Sequence, residues 1–153
     1  MPRLTTFLAC EKVIWEKETE VPTLVAIIGG VKAQYVPIPG EPVAIQPNAL
    51  APRAWAIFTV WECRGEDVGK TFHQKSEIIT PSQSVFEEMK ADLPFVAKDG
   101  LNNNSINIMA FPVGIEGIWR VKLWLESKDG QVLIPEAYLP IEVKYAAIVP
   151  LAP

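Results

Sequence analysis

The sequence predicts an all-β protein, a sandwich of two antiparallel sheets in one domain. Three observations carry that expectation. Within Gly117 to Ser127, Trp119, Val121, Leu123 and Leu125 share one parity, while Arg120, Lys122, Trp124 and Glu126 share the other. This period of two is what a strand with one buried face requires. Asp129-Gly130 then supplies a hairpin turn before a second apolar run, Gln131 to Val143. Turn residues also punctuate the rest of the chain into seven or eight short runs, the spacing of a sandwich.

Taken in order, residues 3–16 form an opening strand that ends at the charged turn Glu16 to Glu20. Val21-Pro22 opens the next, expected over residues 23–34, with Thr23 to Val31 as a buried apolar run. Gly29-Gly30 marks a bulge or sharp bend in it. Pro37, Pro39, Pro42, Pro47 and Pro52 make residues 36–52 a long connection, too rich in proline to pair inside a sheet. Residues 53–62 are apolar on both parities, which implies a central strand covered on each face. A polar turn at 64–69 leads to a strand over 70–80, with Phe72, Ser76 and Ile78 facing one way. Residues 81–94 fit two patterns. Ser84 to Glu87 matches a helical capping box, and Val85, Met89 and Leu93 recur every four residues; the same residues also alternate as a charged strand. Short strand connections elsewhere tilt the reading to strand. Residues 98–104 read as an Asn-rich loop and 105–112 as a strand. Residues 146–153 form a short apolar C-terminal tail, lying along the sandwich or reaching a neighbouring subunit.

The opening Leu4 to Ile14, the Pro52 to Trp61 strand and the Gly117 to Val143 hairpin together resemble an uncharacterised bacterial family of small immunoglobulin-like β-sandwich proteins. The matches are of hydrophobic pattern and touch most of the chain. The resemblance implies an immunoglobulin-like antiparallel sandwich of seven to nine strands; it carries no activity.

At 153 residues the chain is long enough for a core without staples. Its 14 basic and 18 acidic residues are scattered, so the electrostatic footprint of a nucleic-acid binder is missing. No segment reaches the ~20 apolar residues of a membrane span. Phe7 to Cys10 has the look of a lipoprotein cleavage site, yet the apolar run before it is only a few residues long and broken by Thr5 and Thr6. The expectation is an opening strand, a cytoplasmic protein, and Cys10 and Cys63 as buried free thiols rather than a disulfide.

Residues of catalytic type are present without a catalytic pattern. His73, the single histidine, shares the parity of Lys75 and Glu77 and is expected on a solvated surface. Ser76, Ser82 and Ser84 lack a nucleophile elbow. Glu62, Glu66 and Asp67, and likewise Glu87, Glu88 and Asp92, lie close in sequence, but nothing local sets one carboxyl apart from its neighbour as glycoside hydrolysis requires. Asp99 with Asn102, Asn103 and Asn104 is thin for calcium, which wants several carboxylates. Asn103-Asn-Ser105 matches a glycosylation sequon. No cofactor is expected.

Five tryptophans remain. Trp119 falls on the core parity of its strand, and Trp55 and Trp61 share one face of theirs with Ile57. Trp124 falls on the polar parity, and with Ile118, Arg120 and Lys122 it forms a candidate interaction surface. The expected function is a non-enzymatic interaction or structural module that binds protein or self-associates. The alternatives are a carbohydrate-binding module reading sugars with Trp124 or Trp61, and a phage or secretion-apparatus structural subunit.

Overall fold

A computed structural model describes residues 1–19, 21–42 and 45–148. Among the described residues eleven strands alternate with turns: β1 (Arg3–Trp15), β2 (Pro22–Ile27), β3 (Gly30–Tyr35), β4 (Leu50–Ala51), β5 (Trp55–Cys63), β6 (Thr71–Ile79), β7 (Val85–Val96), β8 (Gly100–Ile108), β9 (Phe111–Pro112), β10 (Gly117–Ser127) and β11 (Val132–Ala147). The helical content of the described residues is one 3-10 turn, Gly65–Asp67. The protein is therefore all-β, as expected. The strand count exceeds seven to nine, because two-residue β4 and β9 form a small ladder of their own.

One sheet has the order β2-β1-β5-β8 and is antiparallel throughout. The other has the order β3-β11-β10-β6-β7 and is mixed, because β3 runs parallel to β11. The wholly antiparallel arrangement is thus corrected, and the reason lies at Gly29-Gly30. Residues 23–34 are two strands in different sheets. The Ile28 amide still donates to Ala9 in one sheet (2.8 Å), while the Gly29 carbonyl accepts from Glu142 in the other (3.2 Å). A side chain at Gly30 would meet the Glu142 carbonyl oxygen at 3.1 Å, so a close backbone approach favours glycine there. The apolar run of residues 23–31 is not buried as expected; β2 is an edge strand, and of that run Ile28 and Val31 are buried while Leu24 is partly covered.

The two sheets share a core. Its larger cluster joins Ala9, Trp55 and Ile57 of the first sheet to Ile78, Trp119, Val121 and Ile141 of the second. A smaller cluster holds Trp61, Cys63, Phe72, Leu123 and Leu125. Between them lies a buried polar crossing. Gln74 Oε1 accepts from Thr59 Oγ1 (2.6 Å), Trp61 Nε1 (2.7 Å) and Asn104 Nδ2 (3.3 Å). The indole N–H only donates, so it fixes which end of the amide faces it. β5 is central with both faces covered, as its composition required. Its outer residues Ala56, Phe58 and Val60 pack beneath Leu8, Val13 and Leu24, because β1 and β2 curl back over them.

Several elements follow their expected bounds, and others differ for local reasons. The β10–β11 hairpin turns at Gly130 (φ +80°), and Ser127 accepts from the Gly130 amide. Pro135 and Pro140 are tolerated because β3 pairs only with Glu142 to Ala147, leaving the first half of β11 an edge. Residues 85–96 are strand, with a wide bulge: Ile78 pairs with Phe86 and Ser76 with Ala91, so residues 87–90 stand opposite Glu77 alone. The Asn-rich stretch is not a loop. β8 begins at Gly100 and stops at Ile108, short of the strand expected over 105–112. The proline-rich connection packs so tightly on Gly114 that a Cβ there would collide with the Gln46 and Pro47 carbonyls. Ala146 and Ala147 of the expected tail belong to β11; residues 149–153 lie outside the described residues.

Candidate functional site

All four residues of the candidate surface lie on the outer face of the five-stranded sheet, because the alternation of β10 sends Trp119, Val121, Leu123 and Leu125 inward. Their surroundings are a lattice of paired charges. Lys122 Nζ lies 3.1 Å from Glu77 and 2.7 Å from Glu136, carboxylates on the two flanking strands. The same ammonium sits 5.0 Å from the centre of the Trp124 ring, and the indole N–H donates to Glu126 at 2.8 Å. Trp124 is thus capped and hydrogen-bonded within its own face. Ile118 is exposed, and Arg120 borders a shallow depression with Ile79, Val85 and Tyr138.

His73 occupies the same face, as its parity implied. Its Nδ1 is 2.9 Å from Asp92, which also takes Lys75 at 2.5 Å. The Lys75 ammonium is the main cause that holds the Asp92 carboxyl below its usual range; His73 adds to it. Glu62 is likewise lowered, chiefly by its hydrogen bond from Arg3, with Arg64 contributing. Asp67 pairs with the Met1 α-amino group (2.9 Å) and Glu87 with Lys90 (2.6 Å). These carboxylates are paired with cations, and the two shifts run opposite to what a general acid needs. Ser82 and Ser84 bond Thr80 in the turn before β7, apart from His73.

The Asn-rich stretch is used structurally. Asn102 accepts from the Lys98 amide (2.8 Å) and donates to the Lys98 carbonyl (2.9 Å), bracing the turn into β8, while Asn104 reaches Gln74. Among the described residues no three His, Cys, Asp or Glu side chains gather where a metal could be held. Cys10 and Cys63 are free and lie in separate clusters on opposite faces of one sheet. Burial pushes both thiols up, and the Asp67 carboxylate adds to the effect at Cys63. No helix among the described residues is long and apolar enough to cross a membrane. Trp61 is fully buried, which removes it as a sugar platform.

Two features were missed at the level of sequence. One is the edge strand β2, whose six residues carry no charge and whose Val25 (38%) and Ile27 (61%) are exposed. The other is a groove of about 560 Å³ between the tip of the β1–β2 hairpin and the ends of β7 and β8, with Trp15 in its wall. The uncharged composition of β2 was a readable signal; that it forms an edge was not. Compared with known protein families and curated proteins, the chain matches no family model and no curated sequence.

Proposed function

We propose that this protein is a non-enzymatic association module, and that strand β2 adds to β2 of a second copy. The observation that carries the reading is the edge itself. An edge strand presents unpaired N–H and C=O groups, and proteins that stay apart blunt such edges with charge, proline or bulges. β7 follows that rule, with Glu87, Glu88, Lys90, Asp92, Pro94 and a wide bulge. β2 does not: beyond Pro22 at its start it offers Thr23 to Ile27 with no charge, flanked by exposed Val21. Ile118 and Arg120 give the outer face of the other sheet a secondary contact surface. The carboxyls of Glu62 and Asp92, held low by neighbouring cations, support the non-enzymatic part of the reading. The immunoglobulin-like arrangement belongs to the same proposal. It is supported by two sheets sharing one core, and qualified by the parallel β3–β11 pair.

A structural-subunit reading, of the phage or secretion-apparatus kind, has its own support. β8, at the far edge of the same sheet, is also uncharged, and it runs antiparallel to β2. Pairing β2 of one copy with β8 of the next would continue the alternation indefinitely, the heterologous geometry that builds rings or filaments.

Light scattering over a range of concentrations tests both. The expected result is a mass that rises to a dimer, or to higher species under the second reading. Replacing Val25 and Ile27 together by Lys should return the monomer with an unchanged circular dichroism spectrum. A monomer at every concentration, or a double variant that associates as before, overturns the proposal.

A further inference from the structure

The groove beside β8 has the composition of a site rather than of a gap between strands. One wall is the Trp15 indole, 41% exposed, which meets the Phe58 ring at a tilt with centroids 6.4 Å apart. Phe95 adds a second aromatic ring. Asn103 contributes an amide with no hydrogen-bond partner among the described residues, so a donor and an acceptor are both available. Glu16, Lys17 and Lys98 also line the groove, one carboxylate and two ammonium groups, so its rim offers both acceptors and donors to hydroxyls. The volume falls within the roughly 300–1,000 Å³ common for small-ligand sites.

A ligand that suits this set has an apolar flat face and hydroxyls at its rim. We infer that the groove binds an oligosaccharide, with a pyranose ring stacked on Trp15 and its hydroxyls bonded by Asn103 and by Glu16 or Lys17. The C–H face of such a ring meets the electron-rich indole plane, and the rim hydroxyls take the partners that water otherwise supplies. A peptide fits less well, since strand addition needs a run of free backbone and the groove borders only Leu101 to Asn104 of β8. This inference does not depend on association through β2: the groove shares the β1–β2 hairpin tip, but Val25 and Ile27 of that edge do not line it.

The test uses cellohexaose, chitohexaose, xylohexaose and maltohexaose as probes, read by saturation-transfer NMR and by tryptophan fluorescence. At least one should bind saturably, with transfer to its ring C–H protons. Trp15→Ala should raise Kd by about tenfold, as the loss of one stacked ring implies, while Trp15→Phe keeps part of the affinity. Asn103→Ala should weaken binding several-fold with unfolding unchanged, and it decides the matter if Trp15→Ala folds poorly. No saturable response to any probe at millimolar concentration overturns the inference. So does a Kd unmoved by both alanine variants, or an uncharged peptide that binds the groove where no sugar does.

Discussion

At the scale of single residues, the buried amide of Gln74 is the least expendable polar group. Three donors converge on its Oε1, and its Nε2 has no partner among the described residues. Replacing it with leucine leaves the Trp61 N–H and the Thr59 hydroxyl without their acceptor. Gln74→Leu should therefore destabilise by about 1–3 kcal/mol, despite adding apolar surface, and chemical denaturation would measure it. Asp92 makes a different prediction. Its folded carboxyl is held below the usual value by Lys75, so the stabilisation is complete above the unfolded carboxyl's range and is lost as pH falls through the folded value. The stability gap between the wild type and Asp92→Asn should thus narrow as the solution is acidified below that range. Because Asp92 is 44% exposed, the gap is small at any pH. Thermal unfolding of both proteins across the acid range would show the convergence; a gap that widens on acidification would contradict it.

At the scale of elements, β10 shows how alternation separates two kinds of tryptophan on one strand. Trp119 is buried in the larger cluster against Phe86, and its N–H donates to Ile115. Trp124 lies on the outer face under Lys122. Trp119→Ala should cost about 3–5 kcal/mol, whereas Trp124→Ala should leave the fold intact and cost far less, a contrast visible in paired denaturation curves. Equal losses would place Trp124 in the core. The edge strands differ by the same logic. β7 carries charges and a bulge, whereas β2 carries no charge and departs from regular strand at Ala26 (φ +50°) without a register shift, although both end a sheet. β7 also explains why residues 81–94 read two ways. The four residues set outside regular pairing, 87–90, disturb the period of two just where a helical spacing was visible.

For the molecule as a whole, much was legible before any coordinates. The parity of β6 and β10, the doubly covered β5, the turn at Gly130 and the surface position of His73 all follow from the order of polar and apolar residues. They were legible because a strand's side chains alternate by covalent geometry, whatever the strand pairs with. The division of residues 23–34 between two sheets, the parallel union of β3 with β11, the edge position of β2 and the placing of Trp15 and Asn103 on one groove were not. Nor was the polar crossing at Gln74, whose parity placed it inward but whose partners come from β5 and β8. Each of these depends on which distant segments come together. Alternation by itself determined that this is an all-β chain and which way its best-patterned strands face. Only the tertiary structure decided the neighbours, since hydrogen bonds between strands join residues far apart in the chain, and the residues at one end of such a bond carry no mark of the other.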